Sequence, residues 1–162
     1  VLNFPLTMKK KDNDWKKLTM LNIHASLVAL DNKGILLLGK SGCGKSDLAL
    51  RLIMEKGAKL VTDDRVDLFV SDEKLFGAAP QNIAGKLEIR GVGIGLFPVQ
   101  KQVEITLCVE LCPEKEKIER LPDNETAEFL GVSVTKLKLY PFECSTLCKI
   151  IAKISGIICS EC

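Results

Sequence analysis

From Leu21 onward the chain is built of short runs of Val, Ile and Leu separated by turn residues. Residues 22–30 (NIHASLVAL) and 35–38 (ILLL) are two such runs, and Asp31-Asn32-Lys33-Gly34 lies between them. Asn and Gly at that point favour the positive φ of a tight turn, so the two runs predict a hairpin feeding a central strand. The period then changes. Between Ser46 and Lys56 the residues Leu48, Ala49, Leu52 and Ile53 share one helical face, and Gly57 supplies a C-terminal stop. Residues 35–57 therefore predict strand, glycine-containing loop, helix. Downstream, the run 59–62 closes on Asp63-Asp64, and residues 66–70 and 75–78 flank the turn Ser71-Asp72-Glu73-Lys74. Further strands are predicted at 87–90, 103–111 and 134–139, a short helix at 125–130 and a closing amphipathic helix at 145–158. This alternation predicts an α/β domain with a mixed sheet and flanking helices.

Residues 1–20 stand outside that pattern. Five lysines surround an isolated Trp15 there with no sustained period, which predicts an N-terminal arm followed by one domain over 21–162. A length of 162 residues suits a single core. A hydrophobic fraction of 46% with a net charge of only +2 excludes a disordered chain and gives no basic surface for nucleic acid. No window approaches the roughly 18 apolar residues of a membrane span, and no apolar segment precedes a cleavage site. A cytoplasmic protein is expected. The seven cysteines are an odd number and read as reduced, mostly buried thiols. Cys159 and Cys162 form a C-x-x-C pair, but the single histidine, His24, is far away in sequence, so a frayed tail is favoured over a zinc or redox site.

Chemistry concentrates in three stretches. Gly39-Lys40-Ser41-Gly42-Cys43-Gly44-Lys45-Ser46 satisfies G-x-x-x-x-G-K-[ST] between a predicted strand and a predicted helix. Such a P-loop turns backbone N–H groups around a phosphate at the positive end of a helix. Lys45 is expected to reach the β- and γ-phosphates and the Ser46 hydroxyl to bind Mg²⁺. Asp63 and Asp64 close the next apolar run, at the strand edge where ligands bind in such sheets. Two roles compete for them, a magnesium ligand or a general base, beside the plain reading of a solvated turn. In residues 85–95 (GKLEIRGVGIG), alternation places Lys86, Glu88 and Arg90 on one strand face. That face suits either a metal and phosphate site or a charged edge strand.

Together these residues resemble the catalytic domain of the HPr kinase/phosphorylase family. The segments IHASLVAL, GKSGCGKSDLAL, KLVTDDRVDLF, GAAP and LEIRGVGI occur in that family's order, with weaker agreement through ERLPD. The resemblance implies the P-loop fold shared by HPr kinase and PEP carboxykinase. It also implies transfer of phosphate from ATP, or pyrophosphate, to a serine of the phosphocarrier HPr, with reverse phosphorolysis in many members. Position by position, it implies that Asp63 is the base and His24 an active-site histidine, whereas His24 alone reads as a core residue of an apolar strand. Lys45 and Ser46 match the phosphate lysine and the magnesium serine, Glu88 the second magnesium ligand, and Arg120 a later active-site arginine. A homo-oligomer, commonly a hexamer, is implied as well.

Where the sequence departs from the family, the expectation narrows. The chain reads as a kinase domain without the separate N-terminal domain of many members. LFPVQKQ replaces a longer loop after the signature, and YPFECST replaces a basic segment associated with dephosphorylation. Kinase chemistry is thus favoured over the phosphorylase reaction. The alternatives are a P-loop small-molecule kinase or NTPase, and a non-catalytic nucleotide-binding sensor.

Overall fold

A computed structural model describes residues 19–80 and 85–158. The lysine-rich arm, apart from Thr19 and Met20, and the Cys159/Cys162 pair lie outside the described residues. Strands β1 (Leu21–His24), β2 (Ser26–Leu30) and β3 (Lys33–Leu38) lead into helix α1 (Lys45–Lys56). Then come β4 (Lys59–Thr62), β5 (Arg65–Ser71), β6 (Lys74–Ala78), β7 (Lys86–Ile89), β8 (Gly93–Leu96) and β9 (Gln102–Leu111). A 3-10 turn at Lys115–Lys117, β10 (Glu125–Phe129), β11 (Val132–Leu139) and α2 (Thr146–Ile154) follow.

The sheet runs β1-β5-β6-β9-β3-β2-β4, and it forks at β9. The first residues of β9 pair with β6 antiparallel, whereas its later residues pair with β11 in parallel. Direction matters for function. Strand β2 is antiparallel to both β3 and β4, and β9 is parallel to β3 and to β11. Hence β3, β4, β9 and β11 all end at one edge of the sheet.

Both faces of the central strands are buried. Ile35 and Leu37 of β3 pack with Leu48, Leu52, Leu147 and Ile150 of the two helices. Leu36 faces the other way, into a second cluster with Val66, Leu68 and Leu75. The helices thus flank one face only, and the curl of the sheet covers the other. A register shift opposite Gly34, where Ile35 pairs with Leu107, leaves Thr106 as an extra residue. That bulge puts Ile105 and Cys108 in one cluster and Leu107 and Val109 in the other. Burial pushes the Cys108 thiol up to about 12, the expected cost of ionising a group in an apolar layer. Among the described residues no helix is long and apolar enough to cross a membrane.

Four elements differ from the sequence expectation. The run 22–30 is two strands broken at Ala25, whose N–H donates to Asp64 O at 3.2 Å as the chain passes from β5 to β3 and β4. Residues 125–129 form strand β10, where a helix was expected over 125–130, because β11 offers its free edge and Leu130-Gly131 (φ 51° and 80°) closes a hairpin. Helix α2 ends at Ile154, short of 158, where Ser155 caps it and Gly156 turns left-handed. Strand β8 was not foreseen, since two of the four residues of GIGL are glycines, which strands disfavour.

Gly34 sits where a Cβ would lie 2.6 Å from Glu104 O, a backbone atom that cannot swing aside. Gly34→Ala is expected to destabilise the chain by about 1–3 kcal/mol, read as a lower urea midpoint at unchanged slope.

Candidate active site

The P-loop leaves β3 at Leu38 and enters α1 at Lys45. Its closure depends on glycine at two points. A Cβ on Gly39 (φ 147°) would lie 2.4 Å from Cys43 Sγ, and one on Gly44 (φ 97°) would lie 3.2 Å from the Phe142 ring. Cys43 is buried under the loop, and its N–H donates to Lys40 O at 3.2 Å.

Lys45 is only 6% exposed. Its Nζ donates to Gly39 O at 2.8 Å and to Lys40 O at 2.9 Å, both neutral carbonyls. An ammonium carries three donors, and among the described residues no carboxylate pairs with this one. A buried cation held only by neutral oxygens is costly, and an anion beside it would offset that cost.

The Ser46 hydroxyl, one residue into α1, donates to Asp63 Oδ2 at 2.9 Å and approaches Oδ1 at 3.1 Å. Asp63 and Asp64 form the tight corner between β4 and β5, locked by Thr62 Oγ1 donating to Arg65 O at 2.8 Å. Because β3 and β4 end at the same edge, this corner faces the P-loop. Ser26, fully buried at the start of β2, donates to Asp63 Oδ1 at 2.5 Å.

Lys45, Ser46, Asp63 and Asp64 line a cleft of about 420 Å³, which Glu88 and Arg90 border from the β7 side. Lys86 does not line it, so two of the three alternating charges reach the site. His24 ends β1 at the rim, with a 42% exposed side chain and its Nε2 3.9 Å from Asp64 Oδ1. It is not a core histidine. Arg120 lies exposed beyond the 3-10 turn and is not among the cleft residues.

Two cleft or cleft-supporting residues escaped the sequence reading. Ser26 was visible only as a polar residue heading the apolar run SLVAL. Phe142, 56% exposed on the cleft wall, had no periodic signal. Its segment is well tethered. The Tyr140 ring meets Phe142 edge-on at 5.6 Å, Thr146 Oγ1 donates to Tyr140 O at 2.6 Å, and an Arg51 guanidinium N–H donates to Cys144 O at 3.3 Å. Lys149 donates to Glu143, and with Lys115 it holds that carboxyl below the usual carboxylate range. A depressed carboxyl stabilises above its unfolded value and loses that contribution as pH falls through the folded one, so this tether is intact at neutral pH.

The chain's relatives bear on this cleft directly. The HPr Serine kinase C-terminal domain family matches residues 16–155, a span that contains every cleft residue. The chain belongs to this HPr kinase family. HPr kinase/phosphorylase of Clostridium botulinum (strain Eklund 17B / Type B) is 39% identical over 125 residues, covering 71% of the chain and 41% of that protein. The protein of the same name from Levilactobacillus brevis is 38% identical over 129 residues, covering 73% and 41%. The chain therefore spans about two fifths of the length of these relatives. The solved Hpr(Ser) kinase/phosphatase from Coxiella burnetii superposes with a TM-score of 0.69 at 32% identity, covering 84% of this chain and 99% of that one. That agreement establishes the curled-sheet HPr kinase fold for the chain.

The packing of Phe142 on the P-loop of this HPr kinase domain is testable without ligand. Gly44→Ala must adopt a left-handed conformation, at about 1–2 kcal/mol, and also press on the Phe142 ring. Its thermal midpoint is expected to fall by several degrees, about 2–4 °C per kcal/mol. Adding Phe142→Ala should recover the steric part of that loss, so calorimetry of the two single variants and the double should show coupling.

Proposed function

We propose that the chain transfers the γ-phosphoryl group of ATP to a serine hydroxyl of the phosphocarrier HPr. The observation that carries this reading is the buried Lys45 ammonium, partnered only by neutral carbonyls, beside the Ser46–Asp63 pair. Lys45, with the backbone of Gly39, Lys40, Ser41, Gly42, Cys43 and Gly44, would hold the donor phosphates.

The donor set also fits magnesium. Ser46 Oγ and the Glu88 carboxylate, both hard oxygen donors, line the same cleft, and Asp63 accepts from the Ser46 hydroxyl. Bound Mg²⁺ would supply neutralisation of charge on the β- and γ-phosphate oxygens. The remaining steps belong to the chain. Asp63 takes the proton of the acceptor serine, whose oxygen bonds to the γ-phosphorus as the bond to the bridging oxygen breaks and ADP leaves. Lys45 steadies the charge on the transferred group, and His24 stands at the rim beside Asp64 where the acceptor enters. Arg120 does not line the cleft, so no step is assigned to it. We also infer homo-oligomeric assembly in the cytoplasm, consistent with the exposed apolar Val92, Ile94 and Leu96 of the β7–β8 hairpin.

The Ser46–Asp63 bond equally suits an ordinary magnesium-anchoring aspartate, which keeps a small-molecule kinase or NTPase as the second reading. Acceptor dependence separates the two. Purified HPr is expected to gain one phosphoserine by mass spectrometry with ATP, and a parallel arm with pyrophosphate reads the donor preference. Nucleotide hydrolysis that HPr leaves unchanged, with no phosphoserine formed, would favour the second reading. Lys45→Ala should lower transfer by about 10²–10³-fold. Asp63→Asn should lower it by about 10²–10⁴-fold while calorimetry shows Mg-ATP still bound.

A further inference from the structure

The kinase reading assigns Asp63 the proton but does not say which of its two oxygens takes it, nor what keeps that oxygen turned toward the acceptor. A free carboxylate can exchange its oxygens by rotating about its terminal bond. The contacts of Asp63 are unequal in a way that answers both points. Oδ1 accepts from Ser26 at 2.5 Å and lies 3.1 Å from Ser46 Oγ, whereas Oδ2 meets Ser46 alone, at 2.9 Å.

Each hydroxyl carries one proton to donate. Ser46, at similar distances from both oxygens, cannot set the carboxylate's orientation. Ser26 can. It is fully buried, and its backbone is fixed opposite Leu37 in the β2–β3 ladder, with β4 pairing from the next residue, Leu27, onward. Asp63 is the partner of its hydroxyl. The donor is buried and does not line the cleft, and it breaks the equivalence of the two oxygens.

We propose that Ser26 is a positioning residue, one that pins Asp63 Oδ1 from the buried side and leaves Oδ2 as the oxygen that accepts the serine proton. This rests on the kinase reading, and it adds to that reading a residue outside the P-loop, the acidic pair and the charged strand. Ser26 touches neither donor nor acceptor. It acts only through Asp63.

The test is a KM-against-kcat comparison with a double-variant cycle, using the intact chain, Mg-ATP and HPr. Ser26→Ala is expected to lower kcat by about ten- to a hundredfold. KM for ATP and the calorimetric affinity for Mg-ATP should stay within about threefold, since the interaction matters to the reacting carboxylate and not to ground-state binding. In an Asp63→Asn background, Ser26→Ala should cost nothing further in single-turnover rate, because its only route of action is gone. Should the alanine variant unfold, Ser26→Cys keeps the side-chain volume with a weaker donor and carries the same readouts.

A parental kcat in Ser26→Ala overturns the proposal. So does a joint loss of kcat, Mg-ATP affinity and thermal midpoint, or an undiminished loss in the Asp63→Asn background, each of which marks a merely structural serine. If the unsubstituted chain fails to phosphorylate HPr, the kinase reading falls and this inference with it. That outcome is distinct from a working kinase indifferent to Ser26.

Discussion

The hydrogen bonding of Ser46 to Asp63 ties the first turn of α1 to the end of β4, and the whole cleft is arranged around that tie. It is available because β3 and β4 are both antiparallel to β2 and so end at the same edge. The two strands themselves are held apart by β2, one on either side of it. The P-loop leaves one and the acidic corner leaves the other. The glycine loop and the acidic corner therefore meet across one strand's width.

Electrostatics around the tie are deliberately incomplete. The P-loop lysine is buried with neutral partners, a state that is costly unless an anion arrives. Charges that serve the scaffold are handled differently. Lys136 bridges Glu110 and Glu125 near the surface, and Glu143 holds Lys149 and Lys115. Those pairs are matched within the chain, whereas Lys45 meets only the Gly39 and Lys40 carbonyls. That contrast separates a binding charge from a structural one more sharply than burial alone does.

Rigid support for the P-loop comes from the far end of the chain. The segment after β11 returns to the loop because β11 runs parallel to β9 and ends at the same edge. There Phe142 and Pro141 pack on Gly44, and Thr146 and Arg51 fix the segment on either side. The HPr kinase family assignment covers this whole arrangement, from β1 through α2. Within it, Phe142 of the stretch YPFECST supplies an aromatic side chain to the cleft wall.

The P-loop, the acid pair after β4 and the charged strand at 86–90 were legible in the sequence because each is a local pattern. Glycines demand particular φ values, a carboxylate after an apolar run lies at a strand end, and alternation sorts faces. What stayed hidden depends on pairing between distant segments. Residues 125–129 became a strand because β11 had an edge to fill, and no local propensity records that. Ser26 met Asp63 and Phe142 met Gly44 only through the order and direction of strands. Arg120, drawn to the site by resemblance, stayed outside the cleft. The sequence by itself determined that a P-loop motif and an acid pair exist in this chain. Tertiary structure alone decided which side chains face them, because hydrogen-bond geometry is set by where two strands end in space and not by how far apart they lie along the chain.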